Sequence, residues 1–288
     1  MTVQLLHVAD LHFGAVADVP QVEALEQMIP DLRPDAVILS GDLTQRARHG
    51  EFQRARAFTQ RAAETAPVHV IPGNHDVQWW WRPFIPFGKQ PLYEKYRQYF
   101  GNELAPTLTL EGGAIIAGAL TAHGVSLASL SRIRDVAVKG HLPKREFLRV
   151  QKLFAAAPPE LARVLVVHHN VLRGDISQRM GLARWRKAQQ RLVETGADVV
   201  LCGHDHQEGA DMLGGRVVVS TAGTLSKRSR GGRPSSFNMV TIEPAAVQVT
   251  FFRWEAERAR FRASDTFAFA RAHGHAERRD SVPAGAGN

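Results

Sequence analysis

The stretch Val68-His69-Val70-Ile71-Pro72-Gly73-Asn74-His75-Asp76 decides how the chain is read. Its first four residues form an apolar run of strand length, and Pro72 and Gly73 then stop the strand and turn the backbone. An amide, an imidazole and a carboxylate follow in consecutive positions. At the end of a buried strand such a cluster suits a site. It also suits a hydrogen-bonded turn, and this stretch alone leaves both readings open.

Four other stretches repeat the arrangement. Residues 3–9 read as a strand ending in Asp10-Leu11-His12, and residues 36–40 as one ending in Gly41-Asp42. Residues 163–167 run into His168-His169-Asn170, and residues 198–202 into Gly203-His204-Asp205-His206. Amphipathic helical patterns cover 21–31, 51–64, 92–100, 144–157 and 184–195. Strand and helix thus alternate, the order of an α/β protein, whose ligands gather beyond the carboxyl ends of the strands. Residues 115–120 and 125–130 alternate like the two arms of a hairpin, and 217–220, 237–242 and 247–252 are further strands, which predicts mixed rather than purely parallel pairing.

The chain has 288 residues, enough for one large core, and an apolar content of 44%. No apolar run reaches membrane-spanning length and the first residues lack a secretory pattern, so a cytoplasmic protein is expected. The single cysteine, Cys202, lies in an apolar run and reads as a small core residue. Charge is basic, 36 Lys and Arg against 28 Asp and Glu, or +8. Nucleic acid would suit that balance, but no long basic run is interleaved with aromatics, so a solvated surface is the better reading. Trp79-Trp80-Trp81 opens a stretch reaching Phe87, read either as a loop folded onto the core or as a cap over the site that could also touch a membrane surface. Residues 227–233 form a basic, glycine-rich loop. From Asp265 the pattern fades, dividing the chain into one domain over 1–264 and a mobile tail over 265–288.

The collected side chains set the chemistry. Asp10, His12, Asp42, Asn74, His168, His204 and His206 combine carboxylate, amide and imidazole without thiolate. That set suits Mn, Fe or Zn in a working site rather than a structural zinc cage. Seven donors are too many for one tetrahedral ion and suit two ions sharing a carboxylate. An isolated Asp-x-His or His-x-His is commonplace; five such pieces in this order, each at a strand end, are not.

Together these pieces resemble the calcineurin-like metallophosphoesterase signature over residues 3–206, most of all its bacterial cyclic-nucleotide phosphodiesterase-like branch. The resemblance implies a four-layer αββα sandwich with two mixed β-sheets and a dinuclear site of two divalent or trivalent ions at the sheet edge. It implies that Asp10, His12, Asp42 and His206 hold one ion, and that Asp42 bridges to a second held by Asn74, His168 and His204. His75 would be no ligand but a catalytic group facing the phosphate, with Asp76 orienting it or a ligand. Two departures stand out. Asn170 follows the His168-His169 pair where many relatives carry proline, which leaves open which of the two ligates; His168 is taken as the first after the strand. Gly41-Asp42-Leu43-Thr44 lacks the additional Asp-Arg of protein phosphatases, which argues against a protein substrate.

The expected activity is hydrolysis of a small-molecule phosphoester, a phosphodiester of cyclic-nucleotide type. The rivals are a nucleotide- or lipid-linked pyrophosphatase of the UDP-diacylglucosamine kind and a DNA exonuclease. A metal-binding scaffold without activity is a further rival, and the presence of every ligand and of His75 argues against it.

Overall fold

The computed structural model describes residues 1–78, 92–123 and 138–271. Its first half runs β1 (Val3–Val8), α1 (Val19–Leu32), β2 (Ala36–Leu39), α2 (His49–Ala63), β3 (Val68–Val70), α3 (Glu94–Phe100), β4 (Thr107–Leu110) and β5 (Ala114–Gly118). The second half runs α4 (Lys144–Ala156), β6 (Ala162–Val166), α5 (Trp185–Glu194), β7 (Val199–Cys202), β8 (Gly209–Leu213), β9 (Val217–Thr221), β10 (Ser236–Ile242), β11 (Ala246–Glu255) and β12 (Arg260–Ala270).

Two mixed six-stranded sheets result. One has the order β12-β11-β10-β1-β2-β3 and the other β4-β5-β6-β7-β9-β8. The apolar runs in β1, β2, β6 and β7 explain why they stack. Successive side chains on a strand leave on opposite faces. On β2, Ala36 and Ile38 enter the core between the sheets, while Val37 and Leu39 join Val22, Leu25, Phe52 and Phe58 under α1 and α2. On β7, Val199 and Leu201 face the other sheet, and Val200 and Cys202 pack with Val150, Phe154 and Leu192 beneath α4 and α5. Both faces of each central strand are therefore apolar, and the layers are helix, sheet, sheet, helix. Cys202 is a fully buried core thiol, as its surroundings in the sequence suggest.

A small polar cluster interrupts the layer between the sheets. His7 on β1 is fully buried, with Nδ1 3.1 Å from Ser220 Oγ on β9 and Nε2 3.0 Å from Ser40 Oγ just beyond β2. Asn238 on β10 donates to the same Ser220 hydroxyl at 2.8 Å. These bonds join the two sheets near the strand ends that carry the site.

Several expectations need correcting. The expected hairpin partner of the strand over 115–120, residues 125–130, falls outside the described residues. β5 is flanked by β4, antiparallel, and β6, parallel. The expected start of the tail, Asp265, lies inside β12, which pairs with β11 as far as Ala270 opposite Ala246. Ala268 and Ala270 made this segment look tail-like, yet Phe269 packs against the core between the sheets. Residues 272–288 and the Trp79–Trp81 stretch fall outside the described residues. Among the described residues no helix is long and apolar enough to cross a membrane.

Candidate metal centre

The five ligand-bearing stretches meet at one edge of the two sheets, and tight packing brings them there. A Cβ at Gly73 would fall on the Asp42 carboxylate, 2.8 Å from its Cγ. A Cβ at Gly203 would sit 2.6 Å from Asp10 Oδ2. Both glycines let one loop lie against the carboxylate of another. Asp10, His12, Asp42, His204 and His206 all adopt positive φ, between 46° and 74°. That backbone costs energy for residues with a Cβ, and such strain gathers at functional sites.

The side chains fall into two groups. In the first, donor atoms of Asp10, His12, Asp42 and His206 all lie within 4.8 Å of one another. His12 Nε2 is 2.9 Å from His206 Nε2, and Asp10 Oδ1 is 3.6 Å and 3.4 Å from those two nitrogens. The second group contains His168, His169 and His204 under the same limit. Asn74 Oδ1 joins it, 3.0 Å from both His168 Nε2 and His204 Nδ1. Asp42 lies between the groups, with Oδ2 3.8 Å from His12 Nε2 and Oδ1 3.3 Å from His168 Nε2.

Outer hydrogen bonds orient the rings. His168 Nδ1 donates to the Ser40 carbonyl at 2.9 Å, and His206 Nδ1 to that of Arg228 at 3.1 Å, so each turns Nε2 inward. Asp10 Oδ2 accepts from the His204 amide at 2.7 Å, and Thr224 Oγ donates to the Asp10 carbonyl at 2.6 Å. His169 differs from its neighbour, since its Nδ1 meets Thr121 Oγ at 2.9 Å.

These residues fit a pair of cations. Asp10 Oδ1 is buried without a hydrogen-bond partner among the described residues, which is costly unless a cation meets it. Burial would raise the Asp42 carboxyl, but the imidazoles of His168, His75 and His12 outweigh it and hold Asp42 well below the usual carboxylate range. Burial likewise acts to lower His168, and Asp42 overcomes it and pushes His168 up to about 9. The two shifts share one cause, the contact between the Asp42 carboxylate and the His168 imidazole. Burial pulls His12 and His204 well below the usual imidazole range, so both offer lone pairs.

His75 is half-buried beside the first group, its ring 4.8 Å from that of His12 and edge-on to it. Its amide donates to Asp42 Oδ1 and its Nδ1 to the Gln45 carbonyl, each at 2.8 Å. Asp76 is not directed at that ring in its hydrogen bonds. It is fully buried and accepts from the amides of Leu43, Thr44 and Gly73 and from the Thr44 hydroxyl, at 2.8–3.1 Å. Its carboxylate clamps the Asp42 loop to the Gly73 turn. Burial and the nearby Asp42 push it up to about 7, although the donors of Gly73 and Thr44 act the other way.

Comparison with known proteins agrees with this geometry. Residues 3–208 match the calcineurin-like phosphoesterase family. The chain belongs to that family. Its members hydrolyse phosphoric esters with a dinuclear metal centre of Mn, Fe or Zn, and the Asp/His group and the neighbouring His group are the candidates for such a centre here. Among solved structures, a dimetal phosphatase from Danio rerio superposes with a TM-score of 0.65 at 11% identity, over 94% of this chain and 99% of its own. A purple acid phosphatase isolated from yellow lupin (Lupinus luteus) seeds gives 0.65 at 12% identity, over 94% of this chain and 54% of its own. At such identities the likeness is one of fold. No curated protein sequence matches the chain.

The structure also shows working parts that have no mark in the sequence. Thr224 and Thr44 are single threonines, and the Gln45 and Arg228 contributions are backbone carbonyls. The basic loop over 227–233 supports the centre: Arg228 offers its carbonyl to His206, and Arg230 Nε donates to the Asp205 carbonyl at 2.6 Å. Asn170, the residue in place of proline, is buried. Its amide donates to the carbonyls of Leu172 at 2.8 Å and Arg179 at 3.1 Å, which folds the following loop back on itself.

Proposed function

We propose that this phosphoesterase is a phosphodiesterase acting on a small substrate of nucleotide type, in the manner of the cyclic-nucleotide branch it resembles. In this reading Asp10, His12, Asp42 and His206 hold one cation, and Asn74, His168 and His204 hold the second, with Asp42 shared. The carrying observation is the position of Asp42, whose two oxygens face the two donor groups at 3.8 Å and 3.3 Å. His168 rather than His169 is the ligand in this scheme, because it faces Asn74 and Asp42 while His169 meets Thr121.

When bound, two such cations make a water nucleophilic near neutral pH and offset charge building on a phosphate. The chain's own groups do the rest. Asp42 ties both donor groups to the His75 amide and so places the imidazole beside the centre. Because Nδ1 of His75 donates to a carbonyl, the proton it passes to a departing oxygen is the one on Nε2. Asp76 keeps the Asp42 and His75 loops in register through backbone amides. A diester, rather than a monoester, is supported by a cavity of 780 Å³ that includes His204 in its wall and leaves room for a second ester arm.

The test is a substrate panel. Manganese-loaded protein is assayed on bis-p-nitrophenyl phosphate, p-nitrophenyl phosphate, cyclic AMP, cyclic GMP, a UDP-sugar lipid and single-stranded DNA. The diester and at least one cyclic nucleotide are expected to turn over faster than the monoester. Preference for the monoester would refute the phosphodiesterase reading, and turnover of the lipid or DNA alone would refute the cyclic-nucleotide type.

A further inference from the structure

The cavity beside His204 carries more charge than room for an ester arm requires. Five cations line it: Lys139, Arg173, Arg179, Arg184 and Arg230. Only one carboxylate does, Asp205, and it is engaged already, accepting from Ser177 Oγ at 2.8 Å and lying 3.4 Å from Arg230 Nε. Arg173, Arg179 and Arg184 make no ion pair with any described residue. Where arginines cluster elsewhere carboxylates accompany them, as Glu208 at 2.9 Å and Asp265 at 2.7 Å do Arg253, and Asp198 at 3.0 Å does Arg271. Like charges gathered around one hollow repel, so the arrangement gains nothing for the fold and suits an anion brought from outside.

The loop carrying three of these arginines is held in shape. Asn170 bonds the carbonyls of Leu172 and Arg179, and its own carbonyl accepts from the Gly181 amide at 3.2 Å. Gln178 and Arg184 both take left-handed backbone, with φ of 53° and 49°. The buried Asn170 fixes the base of this loop, whose arginines line the cavity. Guanidinium groups suit phosphate in particular, since their planar donors meet two of its oxygens at once.

We propose that this cavity binds a second phosphoryl group of the substrate, so that the phosphodiester cleaved beside His204 carries a further phosphate. The inference rests on the phosphodiesterase reading and departs from its cyclic-nucleotide form, since a 3′,5′-cyclic monophosphate lacks the further phosphate and would leave the cationic wall unfilled. Asn170 is a positioning residue for the cationic wall. The second phosphate lies either next to the scissile one, as in a pyrophosphate, or elsewhere on the same nucleotide.

The test compares ligands that differ by one phosphate. AMP, the methylene-bridged analogue of ADP and adenosine 3′,5′-bisphosphate compete against hydrolysis of bis-p-nitrophenyl phosphate by the manganese-loaded full chain, and calorimetry measures their binding directly. At least one two-phosphate ligand is expected to bind about tenfold more tightly than AMP, the scale of one charge-assisted hydrogen bond. Which one does so tells the adjacent phosphate from the distant one. In the triple variant Arg173→Gln/Arg179→Gln/Arg184→Gln the preference shrinks to within about twofold, and Arg179→Gln alone gives an intermediate shift. Asn170→Ala lowers the same preference, raising Ki for two-phosphate ligands more than it lowers kcat on bis-p-nitrophenyl phosphate. Equal binding of all three ligands by the native chain overturns the proposal, as does a preference that survives in a triple variant with native melting. If the native chain fails on bis-p-nitrophenyl phosphate, the phosphodiesterase reading falls, and calorimetry still decides whether the cavity prefers two phosphates.

Discussion

Gly73→Ala tests whether close packing of loops builds the centre. The added methyl would fall on the Asp42 carboxylate, its carbon 2.8 Å from Cγ. Carbon atoms in contact sit about 3.5–4.0 Å apart, so Asp42 or the turn must retreat by roughly 1 Å. Overpacking of this kind costs about 1–3 kcal/mol. The effect on function is larger, because a displacement of about 1 Å in a reacting group is worth about 10²-fold in rate. Asp42 also accepts from the His75 amide, so the shift disturbs both the shared carboxylate and the imidazole. Gly50→Ala is the control: Gly50 lies in α2 with nothing within 4 Å of an added Cβ. That change is expected to leave turnover alone and to stabilise by up to about 1 kcal/mol. The assays are metal ions per chain, thermal melting and hydrolysis of bis-p-nitrophenyl phosphate. A Gly73→Ala protein with two ions, native melting and native kcat/KM would refute the reasoning.

Asp42→Asn is expected to abolish both turnover and occupancy by two ions, and metal analysis finding two ions per chain would overturn the sharing of Asp42. His75→Ala is expected to keep both ions and slow turnover by roughly two to four orders of magnitude, with a smaller loss on p-nitrophenyl esters, whose leaving oxygen needs little protonation. Equal loss on good and poor leaving groups would assign His75 to phosphate positioning instead. His7 predicts a pH dependence of folding, because burial pulls its imidazole from 6.5 to about 3. The unfolded chain binds that proton more readily, so the contribution of neutral His7 is whole above pH 6.5 and is lost as pH falls toward 3, by up to about 1.4 kcal/mol per pH unit. Urea unfolding of native chain and His7→Gln between pH 4 and 7 measures it, and identical slopes would refute the assignment.

Much of the fold is legible in the sequence because the central strands are apolar on both faces. Val37, Ile38 and Leu39, or Val199, Val200 and Leu201, read as buried without knowledge of their neighbours. The strands that escape notice, β4, β8 and β12, all lie at sheet edges. An edge strand is less covered, so polar residues such as Asp211 on β8 and Thr107 and Thr109 on β4 break the pattern. Strand order is invisible for a related reason. The alternation in β5 announces a strand, but nothing in it says that its partners are β4 and β6 rather than the segment that follows.

The centre divides in the same way between what a side chain is and where the backbone sends it. Donor types and their places at strand ends are visible, and Asp10, His12, Asp42, Asn74, His168, His204 and His206 do converge. Direction is not visible, and Asp76 shows why. It adjoins His75 in the chain, yet neighbouring side chains diverge, and its carboxylate turns back to Leu43, Thr44 and Gly73. The left-handed backbone at Asp10, His12, Asp42, His204 and His206 has no mark in the sequence either, since none of these is glycine. Strain at five such positions persists only if the surroundings overrule it. The clamps that overrule it are Asp76 on the Asp42 loop, Thr224 on the Asp10 carbonyl and Asp10 on the His204 amide. They are uncharged or buried partners whose own neighbours in sequence say nothing of the centre. A donor set can therefore be read from residue types and spacing, whereas the energy that holds it in place lies in contacts between loops some 30 to 214 residues apart.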